Sequence, residues 1–186
     1  MDPRKITVSK LDVVRTQVET AIRLYFAEGD PVSIHTLAAA SFQILVDLDK
    51  HGPQTGTLLN DIERHVKPEY VKEVLKMFAK PENFFKHADW DPEAVLDFPL
   101  SEPEFYLWEC VAKYRELAGN DTPLMQVYRA WFMAHNSQIL TPVTRVFIEY
   151  MDLASDFPEN DRVRFFEMAL PVFIKKSLEK LRNQGS

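Results

Sequence analysis

The chain has 186 residues, 46% of them hydrophobic and 27% charged, which is typical of one soluble globular domain and unlike a disordered chain. Its formal net charge of −6 argues against a DNA coat function and a basic membrane-surface binder, and its single cysteine excludes an internal disulfide. The apolar runs are shorter than the roughly 18–20 residues that cross a bilayer, and no signal peptide follows Met1. We therefore expect a cytoplasmic protein with no membrane association.

The first two helices are predicted from their ends and from their apolar spacing. Apolar residues three and four positions apart predict a helix over residues 9–27, which Gly29 would end. Asp30 then caps a second helix over residues 30–50, with Pro31 in its first turn, where the missing N–H is tolerated. Short connections of this kind favour antiparallel neighbours.

The second helix carries no aspartate, glutamate, lysine or arginine over residues 32–46. A helix that is apolar on every side is usually buried on every side. We therefore expect it at the centre of a bundle or at a subunit interface. Its polar residues would then need internal partners. These residues are His35, Thr36, Ser41 and Gln43.

The remaining pattern predicts three shorter helices, an irregular surface stretch over residues 89–103, and four longer helices. Ser101 and Glu104 have the spacing of a capping box, which explains the neighbouring carboxylates Glu102 and Glu104 by helix capping. Pro171 is expected to kink the last helix. The predicted helices cover residues 58–66, 68–79, 81–87, 101–118, 122–136, 141–155 and 158–182.

These elements predict an all-α protein, a multi-helix bundle of about seven to nine helices with mostly antiparallel neighbours. Only 5 glycines are present, which is unfavourable for tight β-turns, and no segment alternates with a period of two. We expect one domain over residues 1–186. The irregular stretch also allows two helical subdomains, residues 1–88 and 104–186.

One short segment has the residue types of a catalytic or binding site. Asn83 and His87 stand four apart and share a helix face, so Asn83 could orient an imidazole that exchanges a proton near neutral pH. Lys86 could hold an anion, and Asp89 and Asp91 add hydrogen-bond acceptors. The structural alternative is ordinary helix-end chemistry, because a histidine is favoured near a helix C-terminus and an aspartate before proline is common in turns.

His35 is a second candidate, because it stands in the uncharged helix. It could face an internal polar site, where His35, Asp89 and Asp91 would bind a ligand, or it could be a neutral core histidine. No histidine pair has the spacing of a recognised zinc motif, and no phosphate loop or dinucleotide fingerprint is present, so we expect no metal and no cofactor. Cys110 falls on an inner helix face, where a thiol is usually inert.

Asn83 and His87, on a helix of an all-α bundle, resemble the HEPN superfamily of small bacterial helical domains. Its members commonly carry an arginine, then a polar residue such as asparagine, then three residues and a histidine. The resemblance implies a homodimer that is either a metal-independent ribonuclease or a non-catalytic domain that binds a nucleotide or a partner. Glu82 stands where the family has arginine, and a carboxylate there would repel phosphate. Residues 34–40 and 83–91 also resemble a group of uncharacterised bacterial proteins.

We therefore expect a non-catalytic or degenerate HEPN-like homodimer of the bacterial cytoplasm that binds a protein, RNA or nucleotide partner. The first alternative is a metal-independent ribonuclease in which His87 is the general acid and base, and Lys86 or Arg129 replaces the missing arginine. The second alternative is a small-ligand or metal-binding bundle around His35 and His87.

Overall fold

The computed structural model of the chain describes residues 5–51, 58–78, 84, 92–141 and 154–184. Within these ranges the chain forms seven α-helices and one short 3-10 helix, and no β-strand beyond a single bridge between Val66 and Leu140. The prediction of an all-α bundle is confirmed. The helices are α1 (Lys10–Phe26), α2 (Pro31–Lys50), α3 (Leu58–His65), α4 (Pro68–Phe78), α5 (Glu102–Ala118), α6 (Pro123–His135) and α7 (Arg162–Gln184), with the 3-10 helix at Glu159–Asp161.

One hydrophobic core joins the helices on both sides of the irregular stretch. Helix α2 packs against α1 and α5, α7 packs against α6, and α1 also touches α5 and α6. Aromatic rings fill the region where α1, α6 and α7 meet, with Phe26 stacked on Phe166 at 4.7 Å and edge-on to Trp131 at 6.1 Å. The first and last described helices therefore meet in the core.

The turn between α1 and α2 differs from its prediction at one residue. The left-handed residue is Glu28, with φ +54°, and not Gly29. Glycine is required at position 29 for space, because a Cβ there would lie 3.1 Å from the carbonyl oxygen of Leu24. The Asp30 cap is as predicted, since its carboxylate accepts a hydrogen bond from the Ser33 backbone N–H at 2.8 Å.

Replacing Glu28 with glycine is expected to raise the free energy of unfolding by about 0.5–1 kcal/mol, because glycine adopts a positive φ without strain. Urea denaturation of the variant and wild type measures the change. The matched control is Glu19→Gly, in the middle of α1, which should lower stability by about 1 kcal/mol. Destabilisation by Glu28→Gly as large as that of the control would contradict the assignment of strain to this turn.

Within the protomer α2 is buried on one side only, so a position at the centre of the bundle is wrong, and a position at a subunit interface stays a prediction. Ser41 has the expected internal partner, since its hydroxyl donates to Gln17 Oε1 at 3.0 Å, and His35 is fully buried. Thr36 and Gln43 lie on the exposed side, where Thr36 bonds to a carbonyl of its own helix and Gln43 to Asp47. The physical reason is that α1 and α5, its main neighbours, cover only part of its circumference.

Helix α2 is long enough, at 20 residues, and apolar enough, with a mean hydropathy of 1.3 over its best window, to cross a membrane. Counting uninterrupted apolar runs does not reveal this property. Length and composition alone are weak evidence, because the core helix of a soluble protein passes the same test. In this chain the face of α2 that carries Ala38 and Leu45 belongs to the hydrophobic core.

The start of α5 also differs from its prediction. Ser101 stands at the N-cap position, but its side chain makes no capping hydrogen bond, and its backbone has helical angles (φ −77°, ψ −18°) instead of extended ones. The capping-box prediction is therefore wrong, and Glu102 and Glu104 have other surroundings, described below. The end of α5 at Gly119 is confirmed by its left-handed φ of +78°.

The other predicted helices agree with the structure where it describes them. Helices α3 and α4 occupy the predicted positions, and Thr122 caps α6 as predicted. Residues 92–101 are irregular, and α7 continues as one helix through Pro171. The helices predicted over residues 81–87 and 141–155 lie largely outside the described residues.

Candidate functional site

A cleft of about 540 Å³ opens where α1 and α6 end and where α2, α5 and α7 begin. Its volume falls in the range of typical small-molecule sites, about 300–1,000 Å³. Helix ends form its walls, so five helices each contribute one or more side chains. The polar and aromatic residues that line it are Tyr25, Glu28, Ser101, Glu104, Trp131, His135, Asn136, Glu159 and Arg162.

A chain of hydrogen bonds fixes the inner wall of the cleft. The Trp131 Nε1–H donates to the Tyr25 hydroxyl at 3.1 Å, and that hydroxyl donates to Glu104 Oε1 at 3.1 Å. The Tyr128 hydroxyl donates to the backbone carbonyl of Glu104 at 2.6 Å. Tyr25 on α1 thereby fixes the Glu104 carboxyl group, and Tyr128 on α6 fixes the backbone of the same residue.

Burial raises the pKa of the Glu104 carboxyl, and the hydrogen bond from Tyr25 and the charge of Arg162 oppose this rise. Burial, followed by the neighbouring Glu104 charge, also raises the pKa of Tyr25 far above its usual value of 10.0. Tyr25 therefore stays protonated and serves as a hydrogen-bond donor. Glu104 is the inner-wall group whose charge can change as a ligand enters.

The charges around the cleft are mostly negative. Arg162 lies over the Tyr25 ring, with its guanidinium carbon 4.6 Å from the ring centroid, and its buried Nε makes no hydrogen bond within the described part of the chain. Glu28 and Glu159 are exposed at the rim. Three carboxyl groups thus surround one guanidinium.

His135 contributes structure to the cleft. Its Nδ1 lies 2.9 Å from the Trp131 carbonyl oxygen and its Nε2 lies 2.9 Å from that of Phe157, and the ring stacks on Trp131. Both nitrogens thus lie within hydrogen-bond distance of backbone carbonyl oxygens, and a neutral imidazole donates to only one of the two. Arg129, which the ribonuclease alternative uses in place of the missing arginine, forms an ion pair with Asp121.

A second polar pair is buried next to the cleft. His35 Nδ1 lies 3.9 Å from Glu102 Oε1, and both side chains are almost completely inaccessible to solvent. Edges of the Phe98 and Tyr106 rings pack around the imidazole, at centroid distances of 5.3 and 4.6 Å. Burial raises the pKa of Glu102 to about 7, so this carboxyl group titrates near neutral pH.

The other predicted site residues, Asn83, Lys86, His87, Asp89 and Asp91, lie outside the described residues. A meeting of His35 with His87 therefore stays a prediction. In the ranges that the structure describes, no group of three histidine, cysteine, aspartate or glutamate side chains could hold a metal ion. Cys110 is buried as predicted, its thiol lies 3.2 Å from the Ala38 carbonyl oxygen, and burial raises its pKa well above 9.0.

Sequence reasoning missed the three central cleft residues. The apolar spacing of residues 9–27 predicts for Tyr25 only an inward position on the first helix, the local pattern predicts for Glu104 only a capping role, and no pattern singles out Arg162. The available signal was the apolar spacing around Tyr25, which predicts its burial and hence a partner for its hydroxyl. The partner itself is 79 residues away and leaves no local pattern.

Comparison with protein-family models, curated proteins and solved structures gives no match for this chain. No residue role can be transferred from a relative. The HEPN resemblance is neither supported nor contradicted, and the functional inference rests on the chemistry of the cleft.

Proposed function

We propose that this protein is a non-catalytic helical-bundle binding protein that holds a small amine-bearing ligand in the cleft at the ends of its helices. The observation that carries the proposal is the Glu104 carboxyl group, which a hydrogen bond from Tyr25 fixes on the wall of a cleft of about 540 Å³. A fixed acceptor in a partly buried site favours a charge-assisted hydrogen bond from a cationic donor.

The geometry leaves part of Glu104 for a ligand. Oε1 accepts the hydrogen bond from Tyr25, and Oε2 makes none within the described residues. An ammonium group near Oε2 would share the cleft with the rim carboxylates of Glu28 and Glu159 and with the guanidinium of Arg162. Removing water from such a pair strengthens the attraction, because the effective dielectric constant falls.

The cleft also has an apolar side. Pro31, Ile34, Leu100 and Pro103 line it, and Leu100 is 73% exposed although it is a large apolar side chain. A ligand with a hydrocarbon or aromatic body would cover this surface, at a gain of about 25 cal/mol per Å². The chemical class is therefore a small organic amine with an apolar body.

The same charges disfavour a phosphate ligand, because three carboxyl groups outnumber the guanidinium of Arg162. A cysteine nucleophile has no support here, since Cys110 is buried and does not line the cleft, and both ring nitrogens of His135 face backbone carbonyl oxygens. The ribonuclease alternative rests on His87, outside the described residues. It stays a prediction. The test is to compare the cleavage of a mixed RNA pool by wild type and by His87→Ala.

Phenethylamine and phenylacetate are matched probes, since they share a ring and differ in the sign of their charge. Phenethylamine is expected to bind with a dissociation constant of about 1 mM or lower, and phenylacetate at least about tenfold more weakly. Isothermal titration calorimetry measures both. The amine should bind more tightly as pH rises, because Glu104 must be ionised.

Glu104→Gln tests the central residue, because its amide oxygen can still accept the Tyr25 hydrogen bond while the charge is lost. We expect it to weaken amine binding about tenfold or more, and Glu179→Gln, on the exposed side of α7, to have no effect. The proposal is wrong if phenylacetate binds more tightly than phenethylamine, if neither probe binds at millimolar concentrations, or if the two variants behave alike.

A further inference from the structure

One face of α7 carries large apolar side chains that the bundle leaves exposed. Val163, Ile174, Leu178 and Leu181 are between 41% and 66% exposed. A different face of the same helix points into the core, and its residues Phe165, Ala169 and Phe173 are buried. The described part of the protomer therefore leaves these four apolar side chains partly uncovered.

The spacing along this face is that of a coiled coil. Six positions recur at alternating intervals of four and three residues, the pattern of the a and d positions of a heptad. Four of the six are aliphatic, and of these four Leu170 is partly buried against the core. We name this set the α7 seam, and it consists of Val163, Glu167, Leu170, Ile174, Ser177 and Leu181.

The α7 seam is symmetric about position 172. When a second α7 lies antiparallel, Val163 faces Leu181, Leu170 faces Ile174, and the polar residue Glu167 faces Ser177. Each a position then meets a d position, as antiparallel coiled coils require. A two-fold axis near residue 172 makes both halves of the contact identical, and a polar pair inside an apolar seam specifies a single register.

The charges of α7 favour the antiparallel arrangement. Residues 175–182 carry four basic side chains and one acidic side chain, whereas residues 159–167 carry three acidic and two basic ones. A parallel pair would place the two basic ends together. An antiparallel pair sets each basic end against the more acidic end of its partner, which lowers the repulsion.

We propose that a second copy of this chain covers the α7 seam, with the two α7 helices antiparallel around a two-fold axis near residue 172. This surface does not depend on the ligand of the cleft, so either proposal can fail alone. About three heptads form the contact, which is short for a coiled coil, and we expect dissociation constants in the micromolar range.

Sedimentation velocity from about 1 to 100 µM tests the surface. Wild type should reach twice the chain mass of 21.6 kDa. Ile174→Glu should remain monomeric, because it places a charge at the centre of the α7 seam. The matched control is Val172→Glu, equally exposed but on the opposite side of α7, which should dimerise like wild type. A monomeric wild type, or equal behaviour of the two variants, overturns the proposal.

Disulfide formation between introduced cysteines tests whether the two α7 helices run antiparallel. Val163→Cys and Leu181→Cys should form an intermolecular disulfide when the two proteins are mixed under oxidising conditions, and neither should form one alone. Glu179→Cys, an exposed residue off the α7 seam, should form none in either case. Disulfides within each separate variant would indicate a parallel pair and overturn the antiparallel assignment. A monomer that sediments with vesicles of anionic phospholipid would replace the second copy with a lipid surface and also overturn it.

Discussion

Lys113→Met is expected to lower the free energy of unfolding by about 3–5 kcal/mol, because it breaks an ion pair inside the bundle. Lys113 Nζ lies 3.3 Å from Asp49 Oδ2, and the two side chains are only 3% and 8% exposed. The pair joins the last turn of α2 to α5. Without the ammonium group, the Asp49 carboxylate would keep its desolvation penalty and lose the charge that offsets it.

Urea denaturation with a linear extrapolation measures this loss. The double variant Lys113→Met with Asp49→Leu should recover most of the stability, because an apolar pair of similar volume replaces the ions. The matched control is Lys50→Met, whose exposed partner Asp47 lies 2.8 Å away, and it should change stability by less than about 1 kcal/mol. A loss at Lys113 no larger than at Lys50 would contradict a buried, structural ion pair.

Glu102→Gln is expected to raise stability by about 1–3 kcal/mol at about pH 8 and to leave it unchanged at about pH 4. Burial raises the pKa of Glu102 to about 7 in the folded protein, against 4.5 as its ordinary value. Between these values the folded state holds a proton that the unfolded state has released. Stability therefore falls as pH rises through this window, and the amide of glutamine removes the loss.

Urea midpoints of wild type and Glu102→Gln at the two pH values measure the difference. The matched control is Glu63→Gln, an exposed residue of α3, for which we expect no pH-dependent gain. His35 Nδ1 faces the same carboxyl at 3.9 Å, and it is unchanged in both variants. Equal effects of Glu102→Gln at both pH values would show that the carboxyl group is solvated in the folded protein.

Local chemistry made most helix ends predictable from sequence. Asp30 and Thr122 cap their helices by bonding to a backbone N–H three residues later, so donor and acceptor lie together in the chain. Ser101 shows the limit of such patterns. It has the same residue pattern as a cap, but its helical backbone angles keep its side chain from the capping position.

The cleft could not be predicted in the same way, because its contacts join distant parts of the chain. Glu104 was explained locally by capping, whereas its partner Tyr25 lies 79 residues earlier and Arg162 lies on the last helix. The exposed side of α2 has the same origin, since burial depends on how many helices surround it. A sequence states which residues prefer burial, and the packing of neighbours decides which of them achieve it.

The cleft has a consequence for biosynthesis. Its walls come from both ends of the described chain, from Tyr25 on α1 to Arg162 at the start of α7. The cleft therefore cannot exist until Arg162 has left the ribosome, after most of the core helices have been made. A molecule that binds there recognises only chains in which the start of α7 has been made. It would act as a folding ligand, and its supply would set how much of the newly made protein persists.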